Sequence, residues 1–246
     1  MKRIWKRWIP AALLALAAAF WLYTADYYRA DEAAKAALVS DGAVAVSRTD
    51  YGWLFDGPSG ERALIFYPGA KVEETAYAPF LHALAAQGVD VCLVRMPFHL
   101  AVFGINRADA VIRCGGYSHW SIGGHSLGGA MAARYAADHE EALDGLVLCA
   151  AYSPSALGEA LPVTVVYGTE DGVLNRERLK KSRLLLSGPV EECVIAGGNH
   201  AQFGNYGEQK GDGRARISAA EQQQAAVKAI VDAWPTATAA PAGGNP

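Results

Sequence analysis

Gly124-His125-Ser126-Leu127-Gly128 stands between the apolar run Trp120-Ser121-Ile122-Gly123 and a stretch, Leu127 to Ala137, whose apolar residues recur at helical spacing. A strand that turns straight into a helix through such a pentapeptide lifts the serine hydroxyl above the sheet edge. The glycines leave room where a side chain would collide with neighbouring backbone. Alone the G-x-S-x-G pattern is weak, because a chain with 26 glycines can produce it as a mere packing turn. Its place between strand and helix, with suitable residues downstream, makes Ser126 the candidate nucleophile.

Outward from that turn the same unit recurs. Upstream, Ala63 to Tyr67 reads as a strand ending at Pro68-Gly69, Tyr77 to Ala86 as a helix, Val89 to Val94 as a strand and Ala101 to Arg113 as a helix. Downstream, Leu146 to Ala150, Val163 to Tyr167 and Glu192 to Ile195 supply three further strands, and Ala219 to Trp234 is an amphipathic closing helix. Buried runs alternating with helices imply an α/β fold, a three-layer sandwich with a mostly parallel sheet and helices on both faces. Weaker strand signals lie at Val44 to Ser47 and Gly52 to Phe55, after a short helical connector at Ala30 to Val39. The short connection from Tyr152 to Pro162 leaves no room for a bulky lid, so the site is expected to be open unless the Phe98 to Asn106 segment covers it.

A serine hydroxyl needs a base to take its proton and an acid to orient that base. With the nucleophile on this kind of turn, the acid and then the histidine follow in chain order on loops at the carboxyl ends of later strands. Asp171, in Gly168-Thr169-Glu170-Asp171-Gly172, and His200, in Gly197-Gly198-Asn199-His200, hold those places. Glu170 competes with Asp171, whose shorter side chain suits the preceding turn better. Of the other histidines, His82, His119 and His139 read as packing or surface residues, His125 is badly placed to serve its neighbour Ser126, and His99 is a candidate substrate contact. The oxyanion of an acyl-transfer intermediate needs backbone donors. The Leu127 N–H is one, and the turn Tyr67-Pro68-Gly69-Ala70 offers Ala70, or alternatively Gly69, as the other. Gln202, Asn205, Tyr206 and Asp212 either shape the pocket beside His200 or belong to a hydrogen-bonded loop that holds it.

Lys2, Arg3, Lys6 and Arg7 precede an uncharged run from Trp8 to Ala25. That pattern is an export signal whose length approaches the roughly 17–25 residues that span a bilayer. Ala17-Ala18-Ala19 resembles a cleavage site, yet the aromatic residues Phe20 to Tyr23 fit an interfacial belt. The expectation is an uncleaved anchor with the N-terminus inside and the rest outside the membrane. Residues 1–26 then form the anchor, 27–234 the enzyme domain, and 235–246 a disordered tail of Pro, Ala, Thr, Gly and Asn. The net charge of −3 and the absence of a second basic cluster argue against nucleic acid as a partner. Four cysteines in an exported chain allow three pairings, with free thiols as the default. His and Cys are not grouped at zinc-ligand spacing, so no structural metal is expected, and acyl transfer through a serine needs no cofactor.

At these residues the chain resembles the α/β-hydrolase superfamily, and more narrowly bacterial membrane-anchored members of the alpha/beta hydrolase fold-5 family, related to dienelactone hydrolases. The resemblance runs from about Tyr27 to Trp234 and is carried by Phe66 to Val72, Gly124 to Gly129, Tyr167 to Gly172 and Gly197 to Gly204. It implies the three-layer α/β-hydrolase fold and gives Ser126, Asp171 and His200 the triad roles. Dienelactone hydrolases typically use a cysteine nucleophile where this chain has serine, so their substrate does not carry over. The implied activity is hydrolysis of a small-molecule carboxylic ester or related acyl compound through an acyl-enzyme. Acyl transfer to a cell-envelope acceptor and a non-catalytic binding domain are the competing readings.

Overall fold

Hydrophobic alternation builds the centre of the molecule. Along β3 (Arg62–Tyr67) the side chains of Ala63, Ile65 and Tyr67 enter one buried cluster and those of Leu64 and Phe66 the other, the period of two expected of a strand covered on both faces. The computed structural model describes residues 2–58 and 60–234, with side chains from Trp8 onward. The tail expected at 235–246 and the side chains of Lys2, Arg3, Lys6 and Arg7 lie outside the described residues.

An eight-stranded sheet contains, besides β3, β1 (Ala45–Arg48), β2 (Gly52–Asp56), β4 (Asp90–Val94), β5 (His119–His125), β6 (Gly145–Cys149), β7 (Val163–Gly168) and β8 (Val190–Ile195). The order is β1-β2-β4-β3-β5-β6-β7-β8, with the β1–β2 and β2–β4 pairs antiparallel and all remaining pairs parallel. Pairing of Tyr67 with Gly124, His125 with Cys149 and Gly168 with Ile195 brings the carboxyl ends of five strands to one edge. Loops leaving those ends can therefore share a site.

On one face α3 (Ala78–Ala85) and α7 (Ala219–Ala233) bury Phe80, Leu81, Leu84, Ala226 and Ile230. On the other, α4 (Ala108–Cys114), α5 (Leu127–Asp138) and α6 (Arg176–Ser182) bury Val111, Ala132, Ala133, Ala136 and Leu179. α7 begins with a complete capping box between Ser218 and Glu221. Upstream of the sheet lie the long α1 (Lys2–Ala25) and the single-turn α2 (Glu32–Ala36), which Asp31 caps by accepting from Ala34 N–H.

Two elements depart from the sequence reading. The expected helix over 101–113 is continuous only from Ala108. Before it the chain makes three single 3-10 turns, Pro97–His99, Ala101–Phe103 and Ile105–Arg107, broken by the left-handed Phe98 and His99, by extended Leu100 and by Gly104 at φ −144°, ψ 30°. α6 was not foreseen, because its sequence Arg-Glu-Arg-Leu-Lys-Lys-Ser buries only Leu179 and Ser182 and so carries no apolar stripe. Its start is marked by Asn175, whose side chain accepts from Arg178 N–H. All four cysteines are free, with Cys92 and Cys149 buried in the sheet.

Candidate active site

Ser126 sits between β5 and α5 at φ 53°, ψ −123°. For a residue with a side chain this backbone costs on the order of 1–3 kcal/mol and persists only where its surroundings fix it. Ser126 N–H donates to Cys149 O at 2.9 Å, tying the turn to β6. A Cβ on Gly124 would lie 2.5 Å from Tyr67 O and 2.7 Å from Gly128 C, and one on Gly128 would collide with the carbonyls of Tyr67 and Pro68. Both glycines of the motif are thus required by close backbone approach to the end of β3.

Asp171 and His200, on the loops after β7 and β8, come together as a buried pair with Nδ1 of His200 2.9 Å from Oδ2 of Asp171. The other carboxylate oxygen accepts from Val173 N–H at 2.9 Å and Leu174 N–H at 2.8 Å. Burial alone would raise the Asp171 pKa. The hydrogen bond and charge of His200, with the two N–H donors, outweigh it and hold the carboxyl below its usual value of 3.8. An ionised Asp171 fixes the proton of neutral His200 on Nδ1 and leaves Nε2 as acceptor. That Nε2 is buried and without a hydrogen-bond partner. It shares a cleft of about 230 Å³ with Ser126, Leu127, Ala130, Tyr152 and Leu174. No hydrogen bond joins Ser126 to His200. Glu170, the competing acid, instead faces Arg216 at 3.3 Å and Thr169 Oγ1 at 3.1 Å, outside the cleft.

Two residues whose roles the sequence left open or passed over hold this pair. Asp212 accepts from four backbone N–H groups: Gly172 at 3.1 Å, His200 at 3.2 Å, Ala201 at 2.8 Å and its neighbour Gly213 at 2.8 Å. One carboxylate therefore joins the loop bearing Asp171 to the loop bearing His200. Gln222, fully buried on α7, accepts from Asn199 N–H and donates to Asn199 O, both at 2.8 Å, which locks the residue before His200. Of the two alternatives for Asp212, the loop-holding one is what the structure shows. Gln223 donates to Gln202 O and Asn205 Oδ1, extending the same network.

On the opposite side of Ser126, the turn after β3 packs against the pentapeptide. Gly69 N–H donates to Tyr77 Oη at 3.0 Å, and that hydroxyl lies 2.8 Å from Nδ1 of the buried His125. Gly69 is thereby committed, whereas the N–H groups of Ala70 and Leu127 have no acceptor among the described residues. Burial first, and then neighbouring His200, hold the pKa of His125 well below 6.5, so it remains neutral. Its ring touches that of His200, centroids 4.5 Å apart, yet its Nδ1 is taken by Tyr77.

The segment after α1 is bound to this turn. Tyr28 N–H donates to Lys71 O at 2.7 Å, Glu73 N–H to Tyr28 O at 2.9 Å, and Ala30 N–H to the Glu73 carboxylate at 3.0 Å. Lys71 pairs with Asp26 at 3.0 Å, and its N–H donates to His99 O at 2.8 Å. His99 stacks on Tyr27 at 3.9 Å and is not part of the Ser126 cleft. His82 faces Asp41, His119 faces Asp144 and His139 bonds Tyr135 O, as surface or packing residues do. Among the described residues no three His, Cys, Asp or Glu side chains are grouped to hold a metal ion.

A model of the alpha/beta hydrolase family matches residues 63–224. Among solved structures the chain is similar to the monoacylglycerol lipase of Paleococcus ferrophilus, at 14% identity over 77% of this chain and 99% of that one, with a TM-score of 0.58. It is similar to dienelactone hydrolase from Anabaena variabilis at 15% identity over 78% and 97%, TM-score 0.54. It is also similar to Est1E from Butyrivibrio proteoclasticus at 12% identity over 78% and 99%, TM-score 0.54. At these identities the likeness is one of fold. No curated protein matches the chain.

Proposed function

The chain belongs to the alpha/beta hydrolase family, and from that premise we propose that it is a serine hydrolase that cleaves a carboxylic ester or related acyl bond through Ser126, His200 and Asp171. The observation that carries this reading is the buried Asp171–His200 pair, whose unpartnered Nε2 shares one small cleft with a strained serine.

In the proposed reaction Ser126 Oγ adds to the acyl carbon and its proton passes to His200 Nε2. Asp171 keeps the imidazole in the acceptor tautomer and stabilises the imidazolium that forms. The oxygen of the tetrahedral intermediate accepts from the N–H groups of Leu127 and Ala70, each such donor being worth roughly 3–4 kcal/mol in a dry site. Collapse breaks the bond to the leaving alcohol, which takes the proton from His200. Water then adds to the acyl-enzyme by the same route and releases the acid.

The N-terminal helix is assigned the role of membrane anchor. Its window Trp8–Ala25 is apolar, almost wholly unburied and long enough to cross a bilayer, and the cations at 2–7 support an orientation with the N-terminus inside. Residues 27–234 then lie outside the membrane as the hydrolase domain.

Labelling with a fluorophosphonate, read by intact mass, tests the chemistry. Wild type takes up one adduct, Ser126→Ala takes up none, and His200→Ala reacts more slowly by orders of magnitude. An adduct retained in the folded serine variant would sink the assignment.

A further inference from the structure

The cleft around Ser126 is smaller than the roughly 300–1,000 Å³ of pockets that enclose a whole ligand, so much of a substrate lies on its rim. On the same sheet edge the chain after β4 turns through Phe98 and His99, at φ 55° and 54°, two consecutive left-handed residues that both carry side chains. Backbone of this kind is kept where contacts overdetermine it. Here His99 N–H donates to Met96 O at 3.2 Å while Lys71 N–H donates to His99 O at 2.8 Å. The outcome is an outward apolar group in which Phe98, Val102 and Phe103 are 53%, 44% and 52% exposed.

The neighbour of this group is α1. Phe20 meets Phe98 edge-on at 5.1 Å and Phe103 at 5.9 Å, and the latter two rings are 5.7 Å apart. Phe20 precedes the end of α1 at Ala25 by five residues, roughly 8 Å along the axis. A bilayer that takes in the apolar window to its last residue therefore also reaches the level of Phe98 and Phe103. Past that level the contacts become charged and aromatic: Asp26 pairs with Lys71, the Lys71 ammonium lies 4.5 Å from the centre of the Tyr23 ring, and Tyr27 stacks on His99. That sequence of chemistry is the one found where hydrocarbon gives way to headgroups.

We propose that the carboxyl edge of the sheet rests on the bilayer through Phe98, Val102 and Phe103, and that the substrate is an acyl ester dissolved in the adjoining leaflet. The inference rests on the anchor and serine-hydrolase readings above and adds the direction from which substrate arrives.

The test uses the full chain in phosphatidylcholine–phosphatidylglycerol vesicles, with p-benzoylphenylalanine placed in turn at Phe20, Phe98, Phe103 and Leu184. Leu184 is 88% exposed but precedes β8, at the other edge of the sheet, and serves as control. Photolysis is expected to give phospholipid adducts at positions 20, 98 and 103 and none at 184. Adducts at 20 without adducts at 98 and 103 would overturn the docking proposal while leaving the anchor in place. Absence of adducts at 20 as well would remove the anchor reading and the proposal together. In the same vesicles Phe103→Glu is expected to lower turnover of a vesicle-borne ester about ten-fold and leave a water-soluble short ester unchanged. Equal turnover of both substrates, or equal loss on both, counts against the proposal.

Discussion

The two sides of Ser126 are held by different parts of the chain. On the side of the proposed base His200, the loops after β7 and β8 close on one another through Asp171, Asp212 and Gln222, all residues that follow Ser126. On the side of the proposed oxyanion donor Ala70, the turn after β3 is held by Tyr77, by His125 and by Tyr28 to Ala30, a segment directly behind the apolar helix. The base side fixes a charge and a tautomer, which either are or are not in place. The oxyanion side fixes the direction of a backbone N–H, which can be slightly wrong. Damage to the first is expected to abolish turnover and damage to the second to grade it.

The largest expected effect is that of Asp171→Asn. The amide fills the same space but favours the wrong His200 tautomer, so kcat falls about 10⁴-fold. Retention of the native melting profile, read by circular dichroism beside ester turnover, separates this from unfolding. The same carboxylate makes a pH prediction. Its pKa is depressed in the native state, so its contribution to stability is present above about pH 4 and is lost as pH falls through the native value. Urea midpoints of wild type and Asp171→Asn should therefore converge on acidification below pH 4. Asp212→Asn comes next. An amide offers one acceptor oxygen where the carboxylate uses two, so the His200 loop loosens and kcat drops on the order of 10²-fold, the penalty of a misplacement near 1 Å. Unchanged turnover in Asp212→Asn would mean that the two loops hold their geometry without it.

This asymmetry also governs what the sequence made legible. Ser126, Asp171 and His200 could be nominated because an elbow, strand ends and chain order are local signals, and the six strands from β3 onward were read from apolar runs, β1 and β2 giving only weaker signals. Asp212 could be named but not assigned, since its partners are N–H groups of residues 172, 200 and 201 that only the folded chain brings together. Gln222 looked like any polar residue on an amphipathic helix, although it is fully buried. Attachment of Tyr28 to the turn at Lys71 spans more than forty residues and depends on backbone groups that every residue carries. α6 and the broken 97–107 segment escaped for a related reason: charge hid the one, and left-handed backbone at non-glycine residues interrupted the other.

On the oxyanion side the effects are smaller. Tyr77→Phe removes the acceptor of Gly69 N–H, leaving a buried donor unsatisfied. The turn that presents Ala70 relaxes, and kcat is expected to fall about ten-fold at constant KM. A rise in KM with kcat intact would place Tyr77 in substrate binding instead. Tyr77 cannot be understood apart from His125. With His125 neutral and its Nδ1 unprotonated, the Tyr77 hydroxyl accepts from Gly69 and donates its own proton to that nitrogen. Protonating His125 would put two donors face to face in a buried site. Burial and the adjacent His200 depress its pKa accordingly. The unfolded chain takes up this proton below about pH 6.5 while the native chain does not, so stability supplied by neutral His125 is complete above that pH and declines below it. His125→Asn keeps an acceptor for Tyr77 but cannot titrate. The stability advantage of wild type over this variant is therefore expected to narrow by about 2 kcal/mol between pH 8 and pH 5, measured by urea unfolding at each pH. A constant difference would show that His125 is protonated in the native state, and the Tyr77 bond that holds the oxyanion turn would then have to run in the opposite direction.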